Sequence, residues 1–357
     1  MTSSQPNISI IIPTLNEASH ILGLIKNIAK QNHIRAHVVL VDGGSQDSTV
    51  SLAKEFLQQS NLSYRIKHTQ PGRAHQLNIG SKLADAPDLL FLHADSEIDD
   101  DNLIHNALEY LQSKRETANN ELIAGHFSLW FKTEYDSRSL GYYFYENKTH
   151  LNRLDTINGD QGFMLSKRFF DALGGFDETL SYMEDFRLAR KIFDKGQWIT
   201  LPGTLATSAR RFETEGLKQR QILNAFLCNF DHIGLPEFFS EAASAYRAQD
   251  KSRALELKPF FLLIHRIAKR IGFLRAARLW YKTGAYVAGN AWQLAFALDC
   301  RRNLARQLPS GDGPAPILKF YDRWLKPVID SPPGHFLAAV LTFIWFYFLL
   351  LVMMLRK

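Results

Sequence analysis

Cysteine is scarce, with only Cys228 and Cys300 among 357 residues. Two thiols build no disulfide framework and no paired-cysteine metal site, and they suit a reducing compartment. The N-terminus has no basic n-region, and Ile8 to Ile12 is too short an apolar run for a signal-peptide core. Nothing is therefore expected to direct the chain across a membrane before its tail emerges. Internal repeats and low-complexity tracts are also missing. One stretch lacks charge altogether, the twenty residues from Phe336 to Leu355, which Arg356 and Lys357 close. Twenty helical residues span roughly 30 Å, the thickness of a bilayer core, so a single transmembrane helix is expected there, with a buried core helix as the alternative. Acids are scarce upstream of it, since residues 251–308 hold twelve Lys or Arg against only Glu256 and Asp299. The whole chain is +6, so the remainder is net acidic. Such a basic block marks an anionic surface, nucleic acid or membrane. The adjoining apolar run selects the membrane over nucleic acid, and the positive-inside tendency keeps the main body cytoplasmic.

What is present is an ordinary folded composition, 46% apolar and 22% charged, which excludes wholesale disorder. Apolar strands are expected at 8–12, stopped by Pro13, then at 37–41, 63–68 and 89–92. Helices are expected from Asn16-Glu17 to Lys30, from Asp47 (as N-cap) to Gln59, and from Arg73 to Leu83, with a further one at Asp99 to Gln112. Strands alternating with helices indicate βαβ units and a doubly wound, mostly parallel sheet, an α/β fold. Beyond residue 120 the pattern loosens. A strand is expected at Ile123 to Lys132, a helix from Tyr135 to Lys148, and a turn at Gly159-Asp160-Gln161-Gly162 leading into Phe163-Met164-Leu165. Helices follow at 167–173 and 182–195. Residues 217–232 are amphipathic, and 258–307 are helical and basic, suiting either a helix in the membrane interface or a solvated helical hairpin. Pro309 to Pro316 read as a linker.

Carboxylates collect at the carboxyl ends of the expected strands, where open α/β sheets bind ligands. Leu89-Leu90-Phe91-Leu92 runs straight into His93-Ala94-Asp95. Asp95 could hold a divalent cation that neutralises a diphosphate, or could cap the following helix. Asn16-Glu17, Asp42 and Glu184-Asp185 offer the same choice. Four motifs in this order resemble the family 2 glycosyltransferases, whose fold is the nucleotide-diphospho-sugar transferase fold called GT-A. They are Ile11-Ile12-Pro13-Thr14-Leu15-Asn16-Glu17, Val41 to Thr49, His93-Ala94-Asp95 and Met183-Glu184-Asp185. The resemblance covers residues 7 to about 235. Gly72-Arg73-Ala74-His75-Gln76-Leu77-Asn78, Phe91 to Asp95, Gly159 to Gly162 and Thr207 to Phe212 are similar to a bacterial subgroup labelled arsenosugar-biosynthesis glycosyltransferases, and no arsenic chemistry is carried over from that label.

The resemblance implies a role for each matched position. Pro13, Thr14 and Glu17 line the nucleotide pocket, and Asp42 with Gly43 contacts base or ribose. Arg73, Asn78 and Ala94 lie on the donor side, and Arg210 and Arg211 face the diphosphate, unless they pair with Glu213 or Glu215 on the surface. Asp95 is the metal carboxylate. Its partner position holds His93 where many members have Asp, and imidazole suits Mn²⁺ better than Mg²⁺. Asp185 is the general base of a single inverting displacement, with Glu184 beside it. Asp160 and Gln161 lie at the sugar or acceptor pocket, unless they form a plain turn. The expected cofactor is Mn²⁺ or Mg²⁺, and the donor a nucleotide-diphosphate sugar. A polyprenyl phosphate or glycolipid is the expected acceptor at the bacterial cytoplasmic (inner) membrane, spanned once with the catalytic domain cytoplasmic. The expected layout is 1–235 transferase, 236–308 basic helical region, 309–334 linker, and 335–357 transmembrane helix and tail. A nucleotidyltransferase is set aside, because Pro13 to Glu17 replaces its Gly-rich basic loop. A catalytically inactive membrane-bound scaffold is the remaining alternative, against which the intact Asp42, Asp95 and Asp185 argue.

Overall fold

The computed structural model describes residues 5–133, 139–180, 182–249 and 253–355. The chain divides into two compact units, Met1–Lys132 with Tyr145–Ser208, and Thr133–Phe144 with Ala209–Lys357. Arg356 and Lys357, and the expected start of a helix at Tyr135, lie outside the described residues.

The first unit begins as a run of βαβ units: β1 (Ile8–Thr14), α1 (Ile21–Ala29), β2 (Ala36–Asp42), α2 (Thr49–Gln59), β3 (Ser63–His68), α3 (Arg73–Lys82) and β4 (Asp88–Phe91). It continues with β5 (Ser96–Glu97), α4 (Leu103–Ala118), β6 (Ile123–Lys132), α5 (Leu140–Thr149, crossing the unit boundary), β7 (Phe163–Ser166), α6 (Lys167–Ala172), α7 (Glu184–Lys195) and β8 (Gln197–Ser208). The sheet order is β3-β2-β1-β4-β7-β6-β8-β5. The first four strands in that order are mutually parallel, whereas β7 is antiparallel to both β4 and β6, and β5 to β8. Strands β1, β2 and β4 are buried along their whole length, as continuous apolar runs covered on both faces must be. On one face Ile11, Val39, Val41, Phe91, Phe163, Phe170 and Trp198 form a single core. The amphipathic α1 buries Ile21, Leu24, Ile25 and Ile28, a helical stripe of one turn's spacing.

Several boundaries differ from the sequence expectation. β1 runs through Pro13 to Thr14 rather than stopping at 12. Ile11 accepts from Leu92 N–H on the β4 side, so Pro13, two residues on, turns its missing N–H to that same side, beyond the end of β4. α1 starts at Ile21, because Asn16 to Ala18 are stitched to the 45–48 loop and the first residue of α2 instead. α4 starts only at Leu103, so Asp95 caps no helix. β8 was not anticipated.

The second unit is helical: α8 (Arg210–Glu215), α9 (Leu217–Ile233), α10 (Pro236–Arg247), α11 (Lys258–Arg270), α12 (Phe273–Gly289), α13 (Trp292–Ala305), α14 (Pro316–Phe320), α15 (Lys326–Ile329) and α16 (Pro332–Leu355). Its core joins Phe230, Phe238, Phe260, Phe261 and Ile264 to Phe346 and Leu350 of α16. Among the described residues α16 is the one helix long and apolar enough to cross a membrane.

Candidate active site

The carboxyl ends of β1 and β2 form a cradle that the chain ties shut itself. Asp42, 1% exposed, accepts from the hydroxyls of Thr14 (3.2 Å) and Ser45 (2.5 Å) and from the backbone N–H groups of Gly44 and Ser45 (both 3.0 Å). Burial pushes its pKa up, but these hydrogen bonds outweigh that and hold it below the usual carboxylate value. Gln76 on α3 donates to the carbonyls of Thr14 (2.9 Å) and Val41 (2.8 Å), locking the two strand ends together. A Cβ at Gly43 would sit 3.0 Å from the Gln76 Oε1, so a glycine there makes room for the clamp. Pro13 is buried in this floor, while Glu17 is half-buried and its backbone N–H donates to Thr49 Oγ1 (2.8 Å).

A second cluster gathers around Gly159. Its N–H donates to Asp185 Oδ2 at 2.8 Å, and a Cβ there would meet His93 Nε2 at 2.9 Å and Asp185 Oδ2 at 3.2 Å. His93 Nδ1 lies 2.8 Å from Asp160 Oδ1. Burial lowers the pKa of His93, yet the hydrogen bond to Asp160 and its charge carry the net shift upward. The Arg73 Nε donates to Glu184, which is 2% exposed. Burial raises the pKa of Glu184, Arg73 opposes that, and the neighbouring Asp185 adds to the rise. Glu184 and Asp185 open α7, where the helix dipole favours negative charge, and Phe186 N–H donates to Asp185 Oδ1 at 2.8 Å. Met183 just before them holds a left-handed backbone at φ 72°, strain of the kind that collects at functional sites. Asp95 is half-buried at the end of β4, beside the buried Ala94, and its carboxylate accepts no hydrogen bond among the described residues. No cluster of three or more His, Cys, Asp or Glu suited to a metal occurs among those residues. A lone free carboxylate still fits a cation whose other ligands come from substrate phosphates, a common arrangement for Mg²⁺.

Arg73, His93, Asp160, Glu184 and Asp185 are thus brought together, with Asp95 close enough to His93 to act on its charge. The Asn78 amide is taken up by Phe176 and Glu178, fastening the 176–178 turn to α3. Gln161 is fully buried: its amide reaches His126 Nδ1 (2.9 Å) and the carbonyls of Phe127 and Thr149 (both 3.3 Å), and accepts from Asn158 N–H (3.0 Å). It seats the turn that presents Asp160. Arg210 and Arg211 open α8 in the second unit, where Glu215 is held by Arg220 and by the Tyr246 hydroxyl (2.6 Å). Gln76 and Gly159 are the contributors that sequence reasoning left without a role, although both stood inside motifs it had singled out.

A sheet of this order, with its crevice outside the carboxyl ends of β1, β2 and β4, is the GT-A fold of nucleotide-diphospho-sugar transferases. A mannosyltransferase of Pyrobaculum calidifontis, solved with GDP-Man and Mn²⁺, aligns with 96% of this chain and 88% of its own at TM-score 0.50 and 19% identity, a likeness of fold. Residues 9–174 match the family model Glycosyl transferase family 2. A PGL/p-HBAD biosynthesis glycosyltransferase of Mycobacterium bovis is 41% identical over 96 residues, 26% of this chain and 37% of its own. The O-antigen chain rhamnosyltransferase RfbN of Salmonella typhimurium is 26% identical over 204 residues, 53% of this chain and 62% of its own. The chain therefore spans well under two thirds of the first of these relatives.

Proposed function

We propose that the chain is an inverting glycosyltransferase that moves a sugar from a nucleotide-diphosphate donor to an acceptor hydroxyl or phosphate on a lipid at the cytoplasmic face of a membrane. The observation that carries this reading is the convergence of Asp185 and the His93–Asp160 pair on Gly159, with the Arg73–Glu184 pair close enough for Arg73 to act on Asp185 and Asp160. The nucleotide lies along the cradle of Pro13, Thr14, Glu17, Asp42 and Gly43. For a hydroxyl acceptor, Asp185 takes the proton as the oxygen attacks the anomeric carbon. The bond to the diphosphate breaks on the opposite face, its electron pair leaves with the phosphate, and configuration inverts. Two backbone N–H groups fix the Asp185 carboxylate for that task. Arg73 offers positive charge on the leaving-group side, where charge develops. A divalent cation, Mn²⁺ or Mg²⁺, when bound would neutralise the diphosphate, and Asp95 is the residue free to hold it. His93 commits Nδ1 to Asp160, which leaves Nε2 as its ligating atom. Mn²⁺ with the Pyrobaculum enzyme supports a cation of this kind.

The functional layout proposed is 1–235 for donor binding and catalysis, with the basic helices and α16 bringing the site to its lipid-linked acceptor. Binding and turnover of UDP- and GDP-sugars with Mn²⁺ or Mg²⁺ by detergent-purified protein test the reading. Asp95→Ala should lose metal-dependent donor binding, and Asp185→Asn should lose turnover alone. Folded protein that binds no nucleotide sugar would refute it.

A further inference from the structure

α16 does not stand apart from the basic helices. A Cβ at Gly284 of α12 would lie 2.4 Å from the Ala339 backbone, so the two helices touch there. The Trp280 ring lies 5.2 Å from Phe343 and 6.0 Å from Tyr347, so α12 and α16 run in opposite directions. From α11, Phe261 stacks on Phe346 at 4.9 Å, and His265 Nδ1 lies 3.2 Å from the Tyr347 hydroxyl. These contacts bracket residues 339–347, the middle of a helix that spans 332–355. Arg278 and Lys282 stand two residues either side of Trp280, and Arg266 follows His265, all of them exposed. Were α16 to cross a bilayer, these three cations would leave the protein within about one helical turn of the midplane, about 10 Å from either headgroup layer and farther than a side chain reaches. Each cation at that depth disfavours insertion by roughly a hundredfold.

We propose that α11, α12 and α16 form one in-plane membrane-binding unit, which rests on an anionic lipid leaflet without crossing it. The proposal builds on the reading of α16 as a membrane anchor and changes its topology. The apolar side is large: Phe273 is 85% and Leu274 81% exposed at the tip of the α11–α12 hairpin, and Phe336, Leu341, Ile344 and Phe348 of α16 are each more than half exposed. Between α12 and α16 lies an open apolar groove of about 640 Å³, with Ala276, Ala277, Trp280, Val340 and Phe343 among its walls. Lipid hydrocarbon chains cover these surfaces, and Lys269 at the groove with Arg266, Arg275, Arg278 and Lys282 meets the lipid phosphates.

The test uses full-length protein with a protease-cleavable tag after Lys357, bound to phosphatidylcholine vesicles with or without phosphatidylglycerol. The expected result is cleavage of the tag from the same side on which the catalytic domain is exposed. A tag that is protected until detergent opens the vesicles, while the catalytic domain is accessible, overturns the proposal. Arg275→Gln/Arg278→Gln/Lys282→Gln should weaken binding to anionic vesicles by roughly a hundredfold, at about fivefold per cation, with less effect on neutral ones. Unchanged binding to anionic vesicles, or a dimer stable in lipid-free buffer that ignores vesicles, also overturns it. Nucleotide-sugar binding by the same preparation depends on the first unit, so its failure is read separately.

Discussion

Gly159→Ala is the sharpest probe of the proposed centre, because a single methyl group enters between the two groups assigned to the chemistry. The added Cβ would lie 2.9 Å from His93 Nε2, 3.2 Å from His93 Cε1 and 3.2 Å from Asp185 Oδ2. Restoring contact at about 3.4 Å moves the imidazole by about 0.5 Å and the carboxylate by about 0.2 Å. Neither group yields freely. His93 is tied to Asp160 at 2.8 Å, and Asp185 is held by two backbone N–H groups, one of them that of Gly159. Gly159 is not among the residues with a left-handed backbone, so alanine meets no conformational barrier there. The cost to folding is therefore that of one crowded methyl group alone, about 1–3 kcal/mol. Misplacement by 1 Å can cost about a hundredfold in rate, so half of that should lower kcat by about tenfold or more, with the donor KM changing less. Gly23→Ala in α1 is the control: nothing lies within 4 Å of its Cβ, and it should gain about 0.5–1 kcal/mol of stability with kcat unchanged. The measurements are steady-state transfer and the thermal midpoint of each variant. Gly159→Ala protein that folds normally and keeps the parental kcat would show that the reaction does not pass between His93 and Asp185.

Three further expectations follow from the same geometry. Asp95→Ala removes a carboxylate with no hydrogen bond among the described residues, so calorimetry should find stability within about 0.5 kcal/mol of the parent while titration finds metal-enhanced donor binding gone. Asp42→Asn should destabilise by about 1–3 kcal/mol at neutral pH, since a buried amide cannot accept all the donors that the carboxylate holds. Because the folded pKa of Asp42 is lowered, its contribution is present above the unfolded carboxylate value and lost as pH falls through the folded one. The gap between parent and Asp42→Asn in urea melts should accordingly close in acid, and a constant gap would refute that origin. Gln161→Leu leaves the carbonyls of Phe127 and Thr149 and the N–H of Asn158 without their partner, for a loss of about 2–4 kcal/mol in chemical denaturation, whatever its effect on transfer.

The parallel half of the sheet was legible because continuous apolar runs ending in polar residues have one common explanation, a buried strand with a ligand crevice beyond it. The expected 63–68 and 123–132 strands coincide with β3 and β6. β8 escaped because it carries Pro202 and Gly203, residues that read as a turn; here the Gly203 φ of +87° accompanies a register shift against β6 near His126. The strand continues through the irregularity because its two halves are paired along β6. The start of α1 was misplaced for a related reason. Asn16 and Glu17 look like helix-opening residues, but their backbone amides bond to Ser45 of another loop and to Thr49 at the start of α2. Local propensity was overridden by a contact that only the folded sheet creates.

The site follows the same division. Carboxylates at strand ends could be read singly, whereas their partners could not, since Arg73 reaches Glu184 across 111 positions. Those partners account for the histidine at position 93, where the family resemblance leads one to expect aspartate. Asp160, Glu184 and Asp185 already gather three carboxylates around Arg73, and Asp95 acts on His93. Another carboxylate at position 93 would face Asp160 at hydrogen-bonding distance, and like charges so close hold one group protonated. Imidazole at that position pairs with the neighbour instead, and the hydrogen bond to Asp160 with its charge outweighs burial to raise the imidazole pKa. The proposed cleft then keeps Asp95 unencumbered for a cation and Asp185 fixed by backbone N–H groups for a proton. One histidine separates these two duties, since it draws Asp160 away from both.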